Sequence, residues 1–370
     1  MKPMRIRIVG GSLAGLFIGN LLQRDGHDVK IYERSSSGLA GRGAGLVGQR
    51  ELFKILRVLG CEHLAHVGVV AKERIYLNRD GGVAEVFSTP QTQISWDVLY
   101  ATVASHLPMD SYVVGRAVKN VAETPQGVRL TFEGNETEEA ELVIGADGMG
   151  SVVRGFVSRE NRNEFAGYVA WRGLIPETAL PAEVSILVDR FAFYIVRGVH
   201  MLGYLVPGQN GEMEKGKRRY NWVWYRLVPH AELAALFTGV DGRTFEYSLP
   251  RGALSETRLQ TLRQDAFSVL PPQFAQVVEA EPLPSIHGIF DYEAERMVSR
   301  RVALVGDAAF VVRPHTAMGV AKAAGDALAL REALSRSDNL AEALARYEHE
   351  RLPVGKEIAA YGRRLGASAL

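Results

Sequence analysis

The sequence predicts a mixed α/β fold in two parts. One is a Rossmann-like nucleotide-binding domain written in pieces along the chain; the other is an antiparallel β-rich domain inserted into it. Three observations predict this. The chain opens on a strand, a glycine turn and a helix; two later apolar strands end in Gly145-Ala146-Asp147-Gly148 and Gly306-Asp307; aromatic, alternating sequence lies between them. Buried parallel strands read as continuous apolar runs and half-buried antiparallel strands alternate, so the two textures belong to different sheets. The expected boundaries are 1–70, 95–170 and 290–370 for the nucleotide domain, and 71–94 with 171–289 for the inserted one. The cleft between them is the expected ligand site.

The opening stretch runs Arg5-Ile6-Arg7-Ile8-Val9-Gly10-Gly11-Ser12-Leu13-Ala14-Gly15. Ile6, Ile8 and Val9 form a buried strand, and Leu16, Phe17, Ile18, Leu21 and Leu22 follow at helical spacing. In a dinucleotide-binding unit the pyrophosphate lies on the N-terminus of such a helix. Gly10 permits the tight turn and Gly15 lets helix and strand pack closely. Ser12 stands at the middle position of G-x-G-x-x-G, so an ordinary α/β turn is the plainer alternative. The next strand, Val29 to Glu33, ends in an acid 18 residues past Gly15, where a carboxylate accepts from a ribose hydroxyl.

Composition narrows the partners. The 370 residues suffice for one large or two ordinary domains, and a net charge of +1 gives no sign of a nucleic-acid partner. The single cysteine, Cys61, excludes an internal disulfide and fits a reducing compartment, where it is expected as a small buried hydrophobe. No apolar run reaches about 18 residues, so no membrane span is expected. The first 22 residues read as part of a βαβ unit rather than a leader, and the protein is expected to be soluble and cytoplasmic.

The remaining elements follow in order. A small-residue loop, 35 to 48, includes Gly45 and can bring backbone close to a flat ligand; a surface turn is the alternative. Residues 50 to 60 read as a helix, 75–77 and 83–87 as a hairpin around Asp80-Gly81-Gly82, 96–107 as a helix and 112–133 as paired strands. From 165 to 290 the alternation and turns such as Asn210-Gly211 predict an antiparallel sheet; 256–279 and 319–366 are helical. Lys217-Arg218-Arg219 reads as a solvated loop run. Glu62, His63 and His66 lack the spacing and further ligands of a zinc site, so no metal is expected.

Taken together, the opening turn with Glu33, the Asp147-Gly148 motif with Ser151 and Arg154, and the Gly306-Asp307 motif with Pro314 and Gly319 resemble the class A flavoprotein aromatic hydroxylases of the para-hydroxybenzoate hydroxylase type. The likeness covers nearly the whole chain. It implies an FAD-binding domain carrying an inserted substrate domain. FAD contacts are implied at Gly10, Ser12, Leu13, Ala14, Gly15, Glu33, Arg34, Arg42, Gly45, Asp147, Gly148, Gly306, Asp307, Ala317, Met318 and Gly319. Asp307 is expected to accept from a ribityl hydroxyl, and the helix after Pro314 to stabilise negative charge on the reduced ring. Ser95-Trp96 stands where many relatives carry Arg, and Ala317 and Val320 replace common glycines.

No second nucleotide fingerprint is present, so NADH or NADPH is expected to bind transiently as co-substrate with O2. The resemblance implies a flavin C4a-hydroperoxide that attacks an electron-rich ring. Ala166 to Gly173, Arg313 to Gly319 and Ala321-Lys322-Ala323 are similar to the 2,6-dihydroxypyridine 3-hydroxylase branch, which implies a small aromatic or N-heteroaromatic phenol as substrate. His315, beside Pro314, is the expected catalytic base because an imidazole titrates in the right range; a helix-end histidine is the alternative. Tyr194, His200, Trp224 and Tyr225 are candidate pocket residues, against the plainer reading of sheet core. Trp222-Val223-Trp224 has the W-x-W form of flavin halogenases without their Ile-Pro continuation. A reductase of the same fold and a non-catalytic flavin-binding redox sensor are the competing functions, and a homodimer is left open.

Overall fold

The computed structural model describes the chain apart from Ala40, Arg42, Ala44, Arg159, Asn161 and Leu370, with the backbone alone for Ser368 and Ala369. Strand Arg5–Val9 is buried at four of its five positions, because it lies between two parallel neighbours. Ile8 sits beside Ile31 on one side and Ile144 on the other. The sheet runs Val298–Ser299, Val302–Leu304, Leu142–Gly145, Arg5–Val9, Asp28–Glu33, Tyr112–Val114, and only the first strand is antiparallel to its neighbour. The chain leaves Arg5–Val9 toward Asp28–Glu33 and later returns on its other side through Leu142–Gly145. The strand order therefore reverses there, and a crevice opens beyond the strand ends, as in other doubly wound sheets. Helices Leu13–Arg24 and Gly319–Ser335 pack against each other over this sheet.

The second layer is a larger sheet. Its strands run Ser248–Leu249, Ser285–Glu293, Glu164–Pro176, Arg219–Leu227, Val199–Val206, Arg190–Val196, Glu73–Leu77, Val83–Phe87, with Phe310–Val311 attached beside Ser285–Glu293. It is antiparallel as expected except where Arg190–Val196 runs parallel to Glu73–Leu77. The strands Glu164–Pro176 and Ser285–Glu293 run through the expected boundaries at 170 and 290, so backbone passes without a break between the two parts. No described helix is long and apolar enough to cross a membrane.

Two readings of local texture change. Tyr112–Val114 does not pair with its sequence neighbours but joins the parallel sheet beside Ile31, Tyr32 and Glu33. Val118–Thr124 and Gly127–Phe132 do pair, with Thr137–Ala140 as a third strand. Of the charge run expected to be solvated, Lys217 is exposed but the two arginines are drawn inward. Arg218 is buried between Glu177 and Asp189, and Arg219 reaches Asp97 at 3.1 Å. Buried guanidinium groups are tolerated because carboxylates from distant segments meet them.

The large sheet has two distinct faces, set by alternation. Trp171, Tyr194, Met201, Trp222 and Trp224 join the main core with Leu262, Ala266 and Phe274 of helices Glu256–Val269 and Pro272–Glu279. Tyr168, Ala170, Val223, Tyr225 and Ile289 form a separate cluster on the other face.

Candidate active site

The first half of the site is a cradle at the reversal point. Gly10 has φ +105°, and a Cβ there would lie 2.2 Å from the Ala146 carbonyl oxygen. A Cβ on Gly15 would lie 2.0 Å from the Gly10 carbonyl oxygen. A side chain at either position would therefore push the turn off its neighbour strand or the helix off the turn. Ser12 is the N-cap of Leu13–Arg24, and no side chain caps that helix. Its first N–H groups are left to serve an anion. The Leu13 side chain is buried in the core, so only its backbone can serve a ligand, and Ala14 abuts Gly306.

The Glu33 carboxylate accepts from the Gly11 N–H at 2.9 Å and the Ser35 N–H at 2.8 Å. A carboxylate has roughly four acceptor sites, so capacity remains for a ribose hydroxyl. Gly10, Ser12, Glu33, Asp147 and Gly148 line a cavity of about 380 Å³, with exposed Arg34 at its rim. Trp96 forms another wall, stacked on Tyr100 at 5.0 Å and 8°. An aromatic face thus stands where the sequence pattern had lost a cation. Arg42 lies outside the described residues. Gly45 packs against Tyr204 and Val206 of the large sheet, which explains the missing side chain by close packing.

The second and third motifs are locked to each other. Asp147 does not present a free carboxylate: it accepts from Ser151 Oγ and from the N–H groups of Val152 and Val153. With Ser151 it therefore caps helix Val152–Val157, which leaves about one acceptor site for the FAD contact expected of it on the cavity that it lines. From that helix the buried Arg154 donates to the carbonyls of Gly148, Asp307 and Ala308, and its guanidinium stacks 3.8 Å from the Tyr292 ring centre. Asp307 behaves differently. Its carboxylate opens to the cleft and makes no hydrogen bond with the described side chains or backbone. Beneath it, Asp326 accepts from the Gly306 N–H, and Lys322 donates to the Gly306 carbonyl and to Asp326, while Arg351 closes the network.

After Pro314 the chain makes one 3-10 turn, Pro314–Thr316, before Ala317 takes a left-handed conformation at φ +53°. Helix Gly319–Ser335 then starts with Met318 at its N-cap and no side-chain cap. These features fit FAD: two uncapped helix N-termini, an acid at each end of the crevice, and a glycine turn that admits no bulk.

The second half is a cleft of about 300 Å³, lined by Arg172, Tyr225, Tyr247 and His287 from the large sheet and its loop, and by Asp307 and Pro314 from the cradle side. Sheet register explains the set. Ala170 pairs with Tyr225 and with His287, and Arg172 with Val223 and Ser285, so all face the same way. His200 pairs with Tyr225 and also lies on this face. Tyr194 and Trp224 do not. Each is paired with Met201 on the core face, so their candidacy as pocket residues is corrected: alternation turns them away.

His315 packs directly against the sheet residues. Its ring centre lies 4.2 Å from Tyr225 and 5.3 Å from His200, and Nε2 hydrogen-bonds the Tyr168 hydroxyl at 2.9 Å. Burial, with His200 and Arg313 adding, pushes its pKa down to about 3. The imidazole is therefore neutral and a poor proton acceptor near pH 7, which removes the titration argument for a base there. Burial holds His200 down to about 4, with both ring nitrogens unpartnered.

Arg172, Tyr247 and His287 were missed as site residues. Arg172 was visible in principle, two positions along from Ala170 on one strand face. His287 needed the pairing to Ala170, and Tyr247 sits in a stretch without pattern.

A family model described as an FAD binding domain matches residues 4–195 and 275–361, and one described as FAD binding domain-like matches 165–291. The 2,6-dihydroxypyridine 3-monooxygenase of Paenarthrobacter nicotinovorans is 31% identical over 95% of this chain and 88% of its own length. The 3-amino-4-hydroxybenzoate 2-monooxygenase of Streptomyces cremeus is 30% identical over 98% of this chain and 87% of its own. The solved 2,6-dihydroxypyridine-3-hydroxylase from Arthrobacter nicotinovorans superposes with a TM-score of 0.93 at 29% identity, covering 100% of this chain and 93% of that one.

Proposed function

The chain belongs to the FAD-binding class A flavoprotein monooxygenases, and from that premise we propose that it hydroxylates a small N-heteroaromatic phenol of the dihydroxypyridine kind. One observation carries the reading. Asp307 and Pro314, from the cofactor motif, line the same cleft as Arg172, Tyr225 and His287 from the sheet. A ring held there lies against the end of the cradle. Its modest size suits one ring rather than a long chain, which disfavours an isoprenoid reductase.

Bound FAD, once reduced by NADH or NADPH, supplies an electrophilic oxygen taken from O2. The chain's own residues bind, orient and exclude water. The turn at Gly10 to Gly15 and the N-terminus of helix Leu13–Arg24 would hold the pyrophosphate, and Glu33 would accept from the ribose. Asp307 would accept from the ribityl chain. The N-terminus of Gly319–Ser335, reached through Ala317 and Met318, would stabilise negative charge on the reduced ring. Tyr225 walls the substrate side with His200 packed behind it, and neutral His315 shares a hydrogen bond with the Tyr168 hydroxyl rather than taking a proton. Residues 1–70, 95–170 and 290–370 serve the cofactor and the rest the substrate, and the location is cytoplasmic.

The test is oxidation of NAD(P)H by the yellow purified protein in air. Hydroxylated pyridines are expected to stimulate it severalfold and to be hydroxylated. Stimulation by no hydroxypyridine or phenol contradicts the proposal.

A further inference from the structure

Arg172 stands out among the groups that line the cleft. It is half-buried on strand Glu164–Pro176, and no hydrogen bond or ion pair joins its side chain to any described residue. This sets it apart from the other arginines around the site. Arg154 is held by carbonyls and Asn163, and Arg313 by a bidentate pair with Asp291. A half-buried guanidinium that faces a cleft keeps its donors free for an acceptor or anionic ligand.

The groups facing it are known from every neighbouring element. On one side His287 of Ser285–Glu293 lies one strand away and diagonal in register, with Ser285 Oγ 3.4 Å from its Nε2. On the other are Tyr225 of Arg219–Leu227 and Tyr204 of Val199–Val206. Burial pushes both hydroxyls up, while the Arg172 charge opposes it. His287 is exposed on the cleft wall; desolvation within the cleft, and then the Arg172 charge, lower its pKa, which disfavours a second positive charge there. Asp307 is the only acid lining the cleft among the described residues, and the charges that act on it are Lys322, Arg154 and Asp326. The Arg172 charge is not neutralised there.

We infer that Arg172 and His287 form an anion subsite that binds the substrate ring through one ionised oxygen, a ring oxyanion of the phenolate class. Arg172 supplies the charge and hydrogen-bond donors, and neutral His287 supplies one N–H. The hydroxyl proton is lost to solvent before the ring binds. The oxyanion raises electron density at the ortho and para carbons, where an electrophilic oxygen attacks. Arg172 thus replaces a catalytic base: it selects the ring already ionised, and no side chain in the cleft has to take the proton. The inference rests on the monooxygenase reading for its chemistry but not for its binding test.

Anaerobic holoenzyme is titrated with 2,6-dihydroxypyridine and with 2,6-dimethoxypyridine, following flavin fluorescence for affinity and ultraviolet difference spectra for the ionisation state of the bound ring. Wild type is expected to bind the dihydroxy ring as its anion, at least about tenfold tighter than the ether, in line with a charge-assisted contact. Arg172→Gln is expected to lose that preference while binding the ether within about twofold of wild type, and Arg172→Lys to recover part of it. A neutral bound ring, a preference that survives in Arg172→Gln, or no binding of either ring overturns the subsite. If the anion is bound and NAD(P)H oxidation is not stimulated, the subsite stands and the proposed reaction fails. If oxidation is stimulated with a neutral bound ring, the reverse holds.

Discussion

Ala317 occupies a conformation that suits glycine. Its φ of +53° costs a residue with a Cβ about 1–2 kcal/mol. Glycine adds about 0.4–1 kcal/mol of unfolded-state entropy in return. Ala317→Gly is therefore expected to stabilise the protein by about 0.5–1 kcal/mol, read as a shift of the urea midpoint, and a destabilised variant contradicts the reading. The histidines make a second prediction. His200 and His315 fall to about 4 and about 3 in the folded protein, against an ordinary 6.5. Below pH 6.5 the unfolded chain takes up protons that the folded one refuses, so stability is full near pH 7 and drops as the pH falls toward 4. Each contributes a slope of up to about 1.4 kcal/mol per pH unit in that window. Denaturant midpoints at pH 7.5 and 5.5 should diverge, and His200→Phe should remove about one proton's share; an unchanged slope rules out a buried neutral His200. At this scale the sequence showed residue types but not sides. Tyr194, His200, Trp224 and Tyr225 look alike in an aromatic alternating stretch, and only the pairing registers put His200 and Tyr225 on the cleft-side face, where Tyr225 lines the cleft, and the other two in the core.

At the level of elements, the two Asp-Gly and Gly-Asp motifs look equivalent in sequence and act differently. Asp147 caps helix Val152–Val157, whereas the Asp307 carboxylate faces the cleft. Asp147→Ala is expected to cost about 1–2 kcal/mol of stability in the cofactor-free protein. Asp307→Asn is expected to leave that stability within about 0.5 kcal/mol and to weaken FAD binding by about tenfold, the scale of one hydrogen bond to a charged group. Denaturation curves and FAD titrations check both, and equal effects from the two substitutions contradict the distinction. The strands that bury apolar runs and the helices with clear periodicity were legible because those signals are local. The parallel pairing of Arg190–Val196 with Glu73–Leu77 and the capture of Tyr112–Val114 by the parallel sheet were not. Both depend on partners far away in sequence. The same holds for Arg218 and Arg219, whose carboxylate partners Glu177, Asp189 and Asp97 cannot be foreseen from a three-residue run.

Across the whole molecule, three distant chain segments meet at one crevice, and the large sheet closes its far end. The buried Arg154 and the Lys322, Asp326 and Arg351 network tie the Gly148 and Gly306 turns into one piece, so the cofactor's two ends are held by a single rigid unit. In the proposed subsite, a ring ionised against Arg172 would lie beside Asp307 and Pro314 of the cofactor motif. The most direct measurement of this account is isotopic. Turnover of a hydroxylated pyridine under 18O2 with NADH or NADPH should place one 18O atom in each molecule of ring product, as read by mass spectrometry. Ring product carrying oxygen from water, or NAD(P)H oxidation that yields hydrogen peroxide and no labelled ring, would contradict it.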